Sequence, residues 1–100
     1  MPRSRDYEES LREDLTDPTE AAAYLTACVE EGPEVFLLGL RDVAKARGGM
    51  SKLAAETQLT RDTLYKLMSE DGNPTLESLS DVLAALGVQL QFVATERVAS

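Results

Sequence analysis

The feature that most constrains this chain is a pair of very short amphipathic segments separated by almost no linker. Ser51 to Thr57 offers Leu53, Ala54 and Thr57 to an interior, and the segment from Thr60 to Met68 offers Leu64, Leu67 and Met68, both at helical spacing. Thr60 stands where an N-cap hydroxyl accepts from the first turn of the second helix. Helices this short, with a turn between them, leave no room for antiparallel packing, so the pair must cross steeply. Ala54 is small where they touch, Leu59 plugs the angle, and Leu64 anchors the second helix.

The flanking segments carry clear start and stop chemistry. Asp17, Pro18 and Glu20 supply an N-cap carboxylate, a proline at the first helical position and a glutamate three residues after the cap, which predicts a helix from Pro18 to about Glu31. Gly32 ends it and Pro33 opens another. There Phe36, Leu40, Val43 and Ala44 follow a buried-face pattern, Arg41, Lys45 and Arg47 are expected outward, and Gly48 and Gly49 terminate the helix. After a loop from Ser69 to Pro74, Thr75 caps a fifth helix with Leu76, Leu79, Leu83 and Leu86 along one side, and Gly87 stops it. Val88, Leu90 and Phe92 then alternate with Gln89, Gln91 and Val93, the period of a half-buried strand. No other segment alternates in this way, so its expected partner is the same strand of a second copy, antiparallel across a two-fold axis.

The first sixteen residues offer only Tyr7, Leu11 and Leu15, spaced four apart. A stripe that thin is expected to be frayed, or helical only against a partner. The expectation is therefore an all-α, five-helix helix-turn-helix domain over 17–94 with a short C-terminal strand. A flexible or partner-ordered segment, 1–16, precedes it, and a tail, 95–100, follows.

Composition narrows function more than fold. With no histidine and one cysteine among 100 residues, neither a His-dependent triad nor a Cys/His zinc cluster can be built. Cys28, among alanines and a leucine, is expected to be a buried thiol without a role. Glu8, Glu9, Glu13 and Asp14 lie in a segment with no core to hold them at a fixed separation, as acid-base catalysis requires. The chain is expected not to be an enzyme, with no catalytic residue, no metal and no cofactor. No stretch approaches the roughly 20 apolar residues of a membrane span, and Met1 to Arg12 has no apolar signal core, which places the expected site of action in the cytoplasm.

The net charge of −8 disguises a segregated distribution. Residues 1–36 hold 3 basic and 10 acidic side chains, residues 37–68 hold 6 and 3, and residues 69–100 hold 1 and 5. A phosphate backbone responds to the local potential, screened beyond about 10 Å, so a basic middle third can dock despite acidic flanks. Within it, the sorting of Leu64 inward leaves Arg61, Asp62, Tyr65 and Lys66 on one exposed edge near the start of the second short helix, residues 58–68 serving as turn and recognition helix.

Donor and acceptor geometry suggests roles for that edge. Arg61 can pair bidentately with guanine, Asp62 can accept from cytosine N4, and Lys66 can reach guanine or a phosphate. The Thr60, Thr63 and Tyr65 hydroxyls, with Ser51 and Lys52, suit phosphate contacts that set register without reading sequence. Plainer readings stand beside these: Asp62 as a charge favouring its helix dipole, Tyr65 as half-buried packing, Arg61 and Lys66 as solvated cations. The constellation is more specific than its members.

These segments resemble a known family. Ala22-Ala23-Tyr24-Leu25, Leu40-Arg41-Asp42-Val43-Ala44, Gly49-Met50-Ser51, Leu64-Tyr65-Lys66, Gly72-Asn73-Pro74-Thr75 and Ala85-Leu86-Gly87-Val88-Gln89-Leu90 are similar to the addiction-module antidote family, HigA-like antitoxins of the lambda-repressor-like helix-turn-helix class. The resemblance implies a dimeric antitoxin that binds a RelE-like or HigB-like toxin and represses a shared promoter through operator DNA. It also implies a phosphate contact at Asn73, where the Asn-Pro turn is an equal alternative. The acidic first segment, with Tyr7, Leu11 and Leu15, then becomes a candidate cover for a basic toxin surface, or else a solubilising tail. Alternatives are a protein-interaction module that keeps the scaffold without binding DNA, and a regulator without a toxin. One residue departs from the usual pattern: Gln58 occupies a turn position where such motifs carry glycine, so either it is strained at positive φ or the turn, and with it the tilt of the recognition helix, differs slightly.

Overall fold

The computed structural model describes residues 5–96. Regular structure among them is helical throughout: α1 (Arg5–Asp14), α2 (Pro18–Glu31), α3 (Pro33–Ala46), α4 (Gly49–Thr57), α5 (Arg61–Leu67) and α6 (Leu76–Ala85). The all-helical class agrees with the sequence, but there are six helices, not five. The addition is α1. A ten-residue helix is marginal alone in water; here α1 packs on α3. Leu15, just past its end, is 1% exposed in the core, and Leu11 packs partly against that core. The exit of α1 is tied down as well, since Arg47 Nη1 at the end of α3 donates to the Thr16 carbonyl at 2.8 Å.

The helix starts follow the local chemistry. Asp17 accepts from the Thr19 amide at 2.8 Å ahead of Pro18, and Thr75 accepts from the Ser78 amide at 3.0 Å ahead of α6. α2 and α3 pack closely: a Cβ at Gly39 would stand 2.7 Å from Cys28 Sγ, so only glycine allows this approach. The Tyr24 hydroxyl donates to Asp42 at 2.6 Å across the same pair. Cys28 is buried, as expected.

The core joins all six helices or their immediate ends. Leu25, Leu37, Leu40, Val43, Leu53, Leu64, Met68 and Leu83 are buried in it, with Leu15 from the end of α1. In α6 the sequence expectation is corrected in one respect. Leu76 is 69% exposed, whereas Val82 is fully buried. At about 100° per residue, Leu79, Val82, Leu83 and Leu86 span the arc that faces inward, and Leu76 lies at its edge in the first turn. Arg41 and Arg47, expected outward, are half-buried; Lys45 is exposed.

α6 closes in a Schellman motif. Gly87 takes φ 81° while its amide donates to the Ala84 carbonyl and that of Val88 to the Leu83 carbonyl, each at 3.0 Å. Beyond it the expected strand is not formed. Residues 88–95 run without regular structure; Val88 packs on the core, Leu90 is exposed and Phe92 is 95% exposed. A ladder needs a second strand, and the rest of the described chain is helix and turn.

Candidate nucleic-acid interface

α4 and α5 are joined by three residues whose conformations are set one by one. Gln58 adopts φ 64° and ψ 12°, the left-handed region, and is the lone non-glycine residue at positive φ among the described residues. Its amide donates to the Ala54 carbonyl at 3.1 Å, closing α4 with a 5→1 bond. The Thr57 hydroxyl donates to the Leu53 carbonyl at 2.8 Å and accepts from the Leu59 amide at 3.3 Å, carrying the chain through the turn. Leu59 packs against the core from between the two helices. Thr60 is extended, and its hydroxyl oxygen accepts from the Thr63 amide at 3.1 Å.

On the inner side of α5, Leu64 is fully buried, with Leu67 and Met68 beside it. The outer side is what remains. Arg61, Asp62, Thr63 and Lys66 are exposed, and among the described residues the side chains of Arg61, Asp62 and Lys66 have no hydrogen-bond or ion-pair partner. Thr60 and Thr63 hydroxyls bond to one another at 2.9 Å. Ser51 and Lys52 are exposed on the first turn of α4, and the Lys52 stem lies over Gly48, where it would meet any added Cβ. Asn73 is exposed in the loop before α6. That loop folds back tightly: the Gly72 amide donates to the Ser69 carbonyl at 2.9 Å, and a side chain at Gly72 would run into the Leu67 carbonyl at the end of α5.

Tyr65 is placed between its two readings. It is 39% exposed, but its ring is covered on one side by the Arg41 guanidinium, 5.4 Å from the centroid. Arg41 Nη2 also donates to the Tyr65 carbonyl at 3.3 Å. Nothing local in the sequence signals this contact, because the two residues stand 24 positions apart on different helices. The stripe Tyr7, Leu11 and Leu15 is divided by the fold: Leu15 is core, Leu11 is half-buried, and Tyr7 alone stays exposed.

The family model described as probable addiction module antidote protein matches residues 7–94. The chain belongs to that family. The match spans nearly all the described residues, from within α1 to the irregular segment after α6. A protein of Haemophilus influenzae, named only as uncharacterized, is 39% identical over 82 residues, which cover 81% of this chain and 84% of that protein. No solved structure matches. The resemblance to the addiction-module antidote family is thus borne out at the level of the family. No helix among the described residues is long and apolar enough to cross a membrane.

Proposed function

We propose that this chain is the antitoxin of an addiction module, a HigA-like protein of the lambda-repressor-like helix-turn-helix class that binds operator DNA through α4 and α5. The observation that carries the reading is the outer edge of α5. Arg61, Asp62 and Lys66 are exposed and unengaged on a helix whose inner side is fixed by Leu64 and whose start is fixed by Thr60. Free cations and a free carboxylate on a fixed scaffold can meet base edges, while Ser51, Lys52, Thr63 and Asn73 surround them as phosphate partners. The family supports the antitoxin role, and a RelE/HigB-like toxin is the proposed partner.

The protein acts as a homodimer in this account. Val88, Leu90 and Phe92 form the proposed dimer strand: Phe92 projects freely, the backbone after Gly87 is already out of the helix, and a second copy of the segment supplies the missing ladder. Toxin contact falls to the exposed acidic surface of α1, where Tyr7 stands among Asp6, Glu8 and Glu9 and suits a basic ribonuclease surface. Deleting residues 1–16 would also take Leu15 from the core, so the test of that surface is Glu8→Lys with Glu9→Lys, assayed for toxin affinity.

The net charge of −8 favours a second reading, an interaction module that has abandoned DNA. A gel shift on the chain's own promoter at two salt concentrations separates the two. If Lys52 and Lys66 meet phosphates in both protomers while Arg61 reads a base, affinity falls about a hundredfold for a fourfold rise in salt. Absence of promoter binding at low salt leaves the interaction module standing.

A further inference from the structure

α5 has only seven residues, well below the length at which a helix holds itself in water. Thr60 secures its first turn. The last turn of any helix leaves carbonyls without partners and a partial negative charge, and here the Tyr65 carbonyl has one hydrogen-bond partner among the described residues, Arg41 Nη2 from α3. The same guanidinium lies over the Tyr65 ring. Its Nε is buried without a hydrogen-bond partner. Burying that N–H unpaired is costly, so the stack and the carbonyl contact hold the group in place against a local penalty.

We propose that Arg41 is a positioning residue of the DNA-reading surface: it completes the C-terminal end of α5 and fixes the plane of Tyr65, so that Arg61, Asp62 and Lys66 are presented on a helix held at both ends. The role rests on the DNA-binding reading above. A planar fork is needed to reach the carbonyl and cover the ring together, which lysine cannot reproduce.

The test compares full-length wild type, Arg41→Lys and Arg41→Met on a duplex of the chain's own promoter at several salt concentrations, with amide hydrogen exchange of α5 in the free proteins. Positioning predicts that Arg41→Lys stays folded, that α5 amides exchange about tenfold faster, and that promoter affinity and discrimination against a scrambled duplex fall about tenfold with the salt slope unchanged. In Arg41→Met, which also removes the charge, the slope likewise stays that of wild type; a slope smaller by about 0.9 per site there makes Arg41 a direct phosphate ligand and overturns the proposal. So does wild-type exchange and affinity in Arg41→Lys. If wild type itself does not bind the promoter, the DNA reading fails first, a result distinct from binding that ignores position 41.

Discussion

Gln58 is the sharpest point at which residue chemistry and backbone geometry disagree, and replacing it with glycine converts that disagreement into a measurable stability. At φ 64° and ψ 12° an L-residue sits in the left-handed region, at a cost of about 1 to 2 kcal/mol relative to the right-handed one. Glycine escapes that cost but brings extra unfolded-state freedom worth about 0.5 to 1 kcal/mol. The Gln58 side chain is exposed and makes no hydrogen bond, so truncation removes no contact, and the amide bond to the Ala54 carbonyl is kept. The net expectation is a gain of about 0.5 to 1 kcal/mol, or roughly 3 to 6 °C in melting temperature for a domain of this size. Gln58→Val runs the other way, losing about 1 to 2 kcal/mol because a β-branched residue tolerates positive φ poorly. Thermal unfolding followed by far-ultraviolet circular dichroism measures both. A glycine variant that melts clearly below wild type would refute the account of the turn.

Three further outcomes are expected. Thr60→Ala removes the acceptor for the Thr63 amide and costs about 1 kcal/mol in thermal or urea unfolding, while Thr60→Ser keeps nearly all of it. Arg61→Ala costs about 1 to 3 kcal/mol of promoter affinity and relaxes preference at a single base pair, as competition with point-substituted duplexes would show. Phe92→Ser leaves monomer stability within about 0.5 kcal/mol, because the ring is 95% exposed, and shifts sedimentation towards monomer; an unchanged dimer removes Phe92 from the interface.

What could be seen in the sequence was mostly local. Asp17, Thr60 and Thr75 each cap a helix through a side-chain oxygen two or three residues from its donor, a chemistry confined to one turn and therefore readable in a short window. The glycines at 32, 48 and 87 mark chain reversals for the same reason, and Gln58 betrayed its turn by occupying a place where glycine was expected. The hidden features depend on distant partners. Whether Leu11 and Leu15 serve a core or a visitor turns on α3, which α1 meets only in three dimensions. Leu76 and Val82 are both apolar, and the choice between them follows from which arc of α6 the core covers: Val82 lies within it and Leu76 at its edge. Arg41 and Tyr65 could not be paired from spacing at all. The alternating segment after Gly87 had a strand's pattern without a strand's partner, and within one chain its backbone stays irregular.

Amide chemical-shift mapping of the folded protein titrated with its own promoter duplex addresses the α5 edge most directly. Perturbations should concentrate at residues 58–66 and at Ser51 and Lys52, with the buried faces of α2 and α3 nearly silent. A titration in which those residues stay still, or in which the largest shifts fall on α1 and α2, would contradict the assignment of this edge to DNA.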